Sequence, residues 1–118
     1  MKKNIILDKS FDFAVSIVKL YQQLQENKEF VISKQLLRSG TSIGANVHEA
    51  TAAFSKKDFA YRMSIAAKEA RETRFWLLLL DRTHLVYMDY VPYLDSLEEI
   101  DKILTAIVKK VNPRLFEK

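Results

Sequence analysis

The chain has 118 residues, of which 48% are hydrophobic and 29% charged, a size and balance suited to one soluble domain with a single core. Cysteine is absent, which excludes disulfides and thiolate metal sites. Lys and Arg number 19 against 15 Asp and Glu, a net charge of +4 that permits an acidic partner such as nucleic acid without requiring one.

With only 2 glycines and 2 prolines, the chain lacks the punctuation that hairpins and tight turns need, so the expected fold class is all-α. The basic start leads into a short apolar run, Ile5 to Leu7, too short for a signal-peptide core. The longest uninterrupted apolar run, Phe75 to Leu80, is far short of a membrane span. A cytoplasmic protein with no membrane partner is the expectation.

The first helix is predicted from Ser10 to Gln25. Phe13, Ile17, Leu20 and Leu24 recur at helical spacing, with Phe11, Ala14, Val18 and Tyr21 on the adjacent stripe. Asp8 or Ser10 is the expected cap, and Gln25-Glu26-Asn27-Lys28 the expected end. The second helix is predicted over Val31 to Ala53, with an apolar stripe of Ile32, Leu36, Ile43, Val47, Ala50 and Phe54. Beside it runs a heptad-like stripe of small and polar residues: Gln35, Ser39, Ser42, Asn46, Glu49 and Ala53. Gly40 and Gly44 fall inside this helix. Each costs about 1 kcal/mol against alanine there, so a close helix–helix approach is expected to offset them.

The third helix opens on a capping box, Ser55 and Asp58. It carries two adjacent seams. One is Phe59, Met63, Ala66, Ala70, Thr73, Leu77 and Leu80; the other is Arg62, Ile65, Glu69, Glu72, Trp76 and Leu79. Two seams imply two neighbouring helices. The fourth helix begins near Pro92 and continues through Leu97, Ile100, Leu104, Ile107 and Val111, with Asn112-Pro113 as its stop. No linker or repeat interrupts the pattern. The expected architecture is a single domain over residues 1–118, an up-down-up-down four-helix bundle with short connections.

Catalytic constellations are missing from the pattern, and neither an enzyme nor a small-molecule substrate is expected. His48-Glu49 begins like a zinc-protease motif, but Ala52 stands where the second histidine is needed. The glycine-bearing run Gly40 to Gly44 lacks the Lys-Ser/Thr of a phosphate loop, Ala45 following instead. Glu49, Glu69 and Glu72 have no histidine at the spacing a dimetal bundle requires, so no metal and no cofactor is expected. A structural polar network between helices accounts for these residues instead. Its expected members are Gln35, Ser39, Ser42, Asn46, Glu49, Arg62, Glu69, Glu72 and Thr73, since buried charge must be paired.

Residues 55–82 carry seven basic groups against four acidic ones. At about 100° per residue, Lys56, Lys57, Lys68, Arg71, Arg74 and Arg82 fall within a third of the helix circumference, away from the apolar seam. Such a stripe is either a solvated face or a phosphate-binding one. With Lys34 and Arg38 of the second helix, these residues are the candidate contacts for an RNA or DNA backbone.

Two passages also carry a resemblance. Arg38-Ser39-Gly40-Thr41-Ser42-Ile43-Gly44-Ala45-Asn46, ending at Glu49-Ala50 and followed by Ser55-Lys56-Lys57-Asp58-Phe59, resembles the small proteins encoded in intervening sequences of bacterial 23S rRNA genes. The run Lys68-Glu69-Ala70-Arg71-Glu72-Thr73-Arg74-Phe75-Trp76-Leu77 matches the second signature of that family. The resemblance implies a four-helix bundle assembled into a ring-shaped homo-oligomer, a pentamer with a central channel. It also implies kinship with the accessory variability protein of diversity-generating retroelements, a basic ring that binds nucleic acid and a reverse transcriptase. The expected function is therefore a non-catalytic oligomeric binding protein associated with nucleic acid. The alternative is an adaptor for a protein partner such as a reverse transcriptase or a ribosomal component.

Overall fold

A computed structural model describes residues 4–111. Four helices make up the fold: α1 (Ile5–Glu26), α2 (Ile32–Thr51), α3 (Lys56–Thr83) and α4 (Val91–Val111). Each helix packs on the next, and α1 returns to α4. Short connections between consecutive helices make the neighbours antiparallel, the up-down-up-down order. One apolar cluster draws on all four helices, with Ile17, Leu20, Leu36, Ile43, Leu77 and Leu104 fully buried at its centre.

Helix α1 starts more than a turn earlier than its pattern suggested. Asn4, not Asp8 or Ser10, is the cap, its Oδ1 accepting from the Leu7 amide at 3.1 Å. Ser10 is buried inside the helix, donating to the Leu7 carbonyl at 3.2 Å. Ile6, buried one turn before Ser10, continues the core stripe, so the serine interrupted the pattern without ending the helix. The α2 backbone comes so close that a Cβ on Gly44 would lie 3.1 Å from the Ser10 carbonyl oxygen. A Cβ on Gly40 would lie 2.9 Å from a methyl of Ile17. The two glycines sit within an unbroken helix and bring α1 and α2 together.

The α1–α2 connection is tightly knit. Lys28 takes a left-handed conformation (φ 63°), and the Glu29 and Lys28 amides donate back to Leu24 and Gln25 carbonyls at 2.9 Å each. This is the Schellman arrangement, here without glycine. The Glu29 carboxylate then accepts from the amides of Val31, Ile32 and Ser33, supplying the cap that α2 lacks at its own first residue. Gln25 completes the corner by donating to Ser33 Oγ at 2.8 Å.

Helix α2 ends at Thr51, and Phe54, expected on its apolar stripe, lies beyond it and is fully solvent-exposed. The Ser55 cap forms as its motif predicts, accepting from the Asp58 amide at 3.0 Å. At the other end of α3, His84 turns left-handed (φ 54°) and stacks on Tyr87. Val86 and Tyr90 of this connection are core residues, and Tyr90 Oη donates to the Val86 carbonyl at 2.8 Å. Burial, then the charges of Asp81 and Glu29 and neighbouring Tyr93, push the Tyr90 phenol above its usual range. Asp89 accepts from the Val91 amide at 3.0 Å as α4 begins, and Pro92 sits in its first turn. The expected stop at Asn112-Pro113 lies outside the described residues.

Candidate nucleic-acid interface

Helices α2 and α3 meet along a seam of small residues and hydroxyls. Ser39 and Thr73 are fully buried, and their hydroxyls are 2.9 Å apart. Thr73 Oγ1 also reaches the Glu69 carbonyl, at 2.7 Å, so both polar atoms are satisfied in a dry contact. Further out, Arg38 spans the two helices. Its guanidinium reaches Glu69 Oε2 at 3.3 Å and pairs with Glu72. It also lies 3.5 Å from the Gln35 side-chain oxygen. Glu72 additionally accepts from the Trp76 indole at 3.1 Å. A guanidinium suits this place because its planar fork serves several acceptors at once.

Arg38 therefore belongs to the seam rather than to the phosphate candidates among which its position and charge had put it. Three other expected members of the network behave differently. Glu49 is exposed, and its carboxylate makes none of the side-chain hydrogen bonds or ion pairs found among the described residues. Arg62 is half-buried, with its guanidinium 5.8 Å from the centre of the Tyr61 ring and no carboxylate partner among the described residues. Asn46 donates to the Ser42 carbonyl one turn back, at 2.9 Å, a bond within α2 rather than between helices. Ser42 takes part only through that carbonyl. What joins the helices is Arg38, Ser39, Glu69, Glu72 and Thr73, with Gln35 and Trp76 bonded to Arg38 and Glu72 from within their own helices.

The remaining cations of α3 face outward. Lys56, Lys57, Lys68, Arg71, Arg74 and Arg82 are all exposed, and none forms an ion pair among the described residues. They are not equivalent. Arg71 and Arg74 border a groove of 460 Å³ between α3 and α4 that Asp95, Glu98 and Asp101 also line. Their field is partly cancelled there, although no carboxylate is within ion-pairing distance. Lys57, Lys68 and Arg82 stand on the outermost line of the helix, away from α4. Lys34 is exposed on α2, one turn from Arg38.

One feature of this face was not read from the sequence. Tyr61 and Phe75 are 59% and 56% exposed, at heptad spacing from the same lysines and arginines. The signal was available: positions 57, 61, 64, 68, 71, 75 and 82 repeat at intervals of three, four and seven. The two aromatics had been assigned to neither seam, which leaves only the outer face.

Among the described residues, no three His, Asp or Glu side chains gather where a metal could be held. His48 is exposed and meets the edge of Phe11, with ring centres 6.2 Å apart. No helix among the described residues is long and apolar enough to cross a membrane.

These features define a helical bundle locked by a polar seam, with its longest helix presenting a cationic face to solvent. The profile of the 23S rRNA-intervening sequence proteins matches residues 2–106, and the chain belongs to that family. Its fold is similar to a crystal structure of a protein of unknown function from the S23 ribosomal protein family of Bacteroides thetaiotaomicron. The two are 51% identical, with a TM-score of 0.84, over 88% of this chain and 98% of that one. No curated protein matches the sequence.

Proposed function

We propose that this protein is a non-catalytic binding protein that engages the phosphate backbone of nucleic acid through the outer face of α3, and that it does so as a homo-oligomer. The observation that carries this reading is the set of six exposed α3 cations without carboxylate partners among the described residues. Lys and Arg neutralise phosphates without reading sequence, and counterion release makes such binding fall with salt. Membership of a family named for an rRNA insertion is consistent with RNA as the acid.

Oligomerisation finds support on α1. Phe11, Val15 and Val18, spaced four and three on its outer side, are exposed apolar residues that no element among the described residues covers. A second copy would remove them from water, and a closed ring, the pentamer implied by the resemblance, would repeat the α3 stripe around its axis. The same apolar stripe favours a second reading, an adaptor that takes a protein partner such as a reverse transcriptase or a ribosomal component. A cytoplasmic location suits either reading.

Fluorescence anisotropy with labelled RNA at several salt concentrations tests the proposal. Replacing Lys57, Lys68 and Arg82 with glutamine should flatten the slope of log affinity against log salt by about 0.7–0.9 per lost phosphate contact. The double variant of Arg71 and Arg74, whose field the α4 carboxylates dilute, should flatten it less. An unchanged slope in the triple variant would leave the stripe merely solvated. Sedimentation should return a species several times 13.7 kDa; a monomer at micromolar concentration would remove the oligomer.

A further inference from the structure

The outer face of α3 carries two exposed aromatic rings along with its charges, and duplex binding explains only the charges. In a duplex the base faces are stacked on one another and unavailable, so a protein that tracks phosphates alone gains nothing from leaving a tyrosine and a phenylalanine in water. Single strands differ because every unpaired base offers a face, and aromatic side chains interleaved with cations are the usual platform for them. Resting on the proposed backbone contact, we infer that Tyr61 and Phe75 are stacking platforms for unpaired bases. The preferred ligand is then a single-stranded or looped segment of nucleic acid, not a duplex.

The geometry supports this at both rings. Phe75 meets Trp76 edge to face, with centres 5.0 Å apart and planes at 73°. Trp76 is itself tied to Glu72, which Arg38 holds in turn. The Phe75 ring thus stands on a hydrogen-bonded support while remaining 56% exposed, which lowers the ordering cost of stacking on it. At Tyr61 the Arg62 guanidinium lies 5.8 Å from the ring centre, within cation–π range of one face, while the ring stays 59% exposed for a base to stack on it. The rings lie fourteen residues apart in the sequence, about 21 Å along the helix. That is too far to clamp one base between them, so each takes its own. Ser64, Lys68 and Arg71 lie between, positioned to hold the intervening backbone. No free carboxylate shares this line: Glu72 is engaged by Arg38 and Trp76.

The test compares a labelled mixed-sequence RNA of about twenty nucleotides with the duplex it forms with its complement. Wild-type protein should bind the single strand more tightly. Tyr61→Ala and Phe75→Ala should each weaken single-strand binding roughly five- to a hundredfold, leaving duplex affinity and the salt slope unchanged. Phe75→Trp should retain binding, and both alanine variants should melt near wild type because the side chains are exposed. Equal affinity for strand and duplex, with neither alanine variant altering it, would overturn the stacking role while leaving the backbone contact intact. No salt-dependent binding of either RNA would remove the backbone contact itself. Alanine variants that change the sedimenting mass rather than RNA affinity would assign the rings to a subunit or protein contact, and so overturn the inference.

Discussion

The α2–α3 and α1–α4 edges of the bundle are closed in opposite ways. Along α2–α3, small side chains let the helices approach, two buried hydroxyls meet, and one arginine gathers two carboxylates from the facing helix. Along α1–α4, contact is sparse, and an open groove of 220 Å³ lies between Lys9, Asp12 and Ser16 on one side and Ser96 and Glu99 on the other. Its polar link is the Lys9–Glu99 pair, with side chains 38% and 57% exposed. The bundle is correspondingly flat, 44 × 37 × 20 Å. The contrast teaches that a bundle can concentrate its specificity on one edge, where desolvated partners must match, and leave another to generic apolar packing.

The largest expected effect comes from Arg38→Ala, which leaves the Glu69 carboxylate, only 12% exposed, facing a seam without its cation. Breaking a buried pair costs about 3–5 kcal/mol, and the half-exposed guanidinium reduces that to about 1–3 kcal/mol. Urea midpoints should show it, with Arg38→Lys recovering only part because an ammonium cannot fork. Next, Thr73→Val should cost about 1–2 kcal/mol by leaving the buried Ser39 hydroxyl only its long, 3.5 Å bond to the Leu36 carbonyl, whereas Ser39→Ala combined with Thr73→Val should cost less than the two singles summed. Additive losses would mean that the hydroxyls do not act as a pair.

Tyr90→Phe probes the end of the bundle where the α1–α2 and α3–α4 connections both lie. Loss of the bond to Val86 should cost about 1 kcal/mol at neutral pH. The phenol ionises near pH 10 in the unfolded chain and at a higher pH in the folded one. The stability it contributes is therefore full below about pH 10 and lost as pH rises through the folded value. The phenylalanine variant should lose less stability across that alkaline range, which thermal melts against pH would reveal. The smallest effect belongs to the α1–α4 edge: Lys9→Ala should cost at most about 1 kcal/mol, and less at high salt. A loss equal to that of Arg38→Ala would erase the distinction between the edges.

Much of this was legible in the amino-acid order. Apolar spacing gives each helix its angular phase, so the core faces, the Ser55 cap and the continuity of α2 through Gly40 and Gly44 could be read directly. The seam was legible as a stripe but not as a set of partners. Phase assigns a residue to a side; the height at which helices meet follows from the connections. Arg38 and Arg62 both neighbour the seam in projection, but Arg62 stands about two and three turns before Glu69 and Glu72 on the same helix, whereas the turn at Ala52 to Ser55 brings Arg38 of α2 level with them. Glu49 falls on the same stripe as Ser39 and Ser42 but is exposed. Glu29 was missed because a carboxylate in a polar connection looks like any solvated charge until the three amides it accepts from are in place. The burial of Val86 and Tyr90 was not legible either: no periodicity marks a connection that folds back onto the core.

The missing side chain at Gly44 has a mechanical consequence. With the α2 backbone seated against the Ser10 carbonyl, turning α2 about its own axis would swing Ile43 or Ala45 into that oxygen. Torque applied to either helix therefore passes to the other, and α1 and α2 behave as one stiff plate. The hydroxyl pair and the Arg38 fork join α3 to that plate across a matched edge. The sparse α1–α4 edge carries no such lock, so the three helices matched to one another include the one that presents the cationic face.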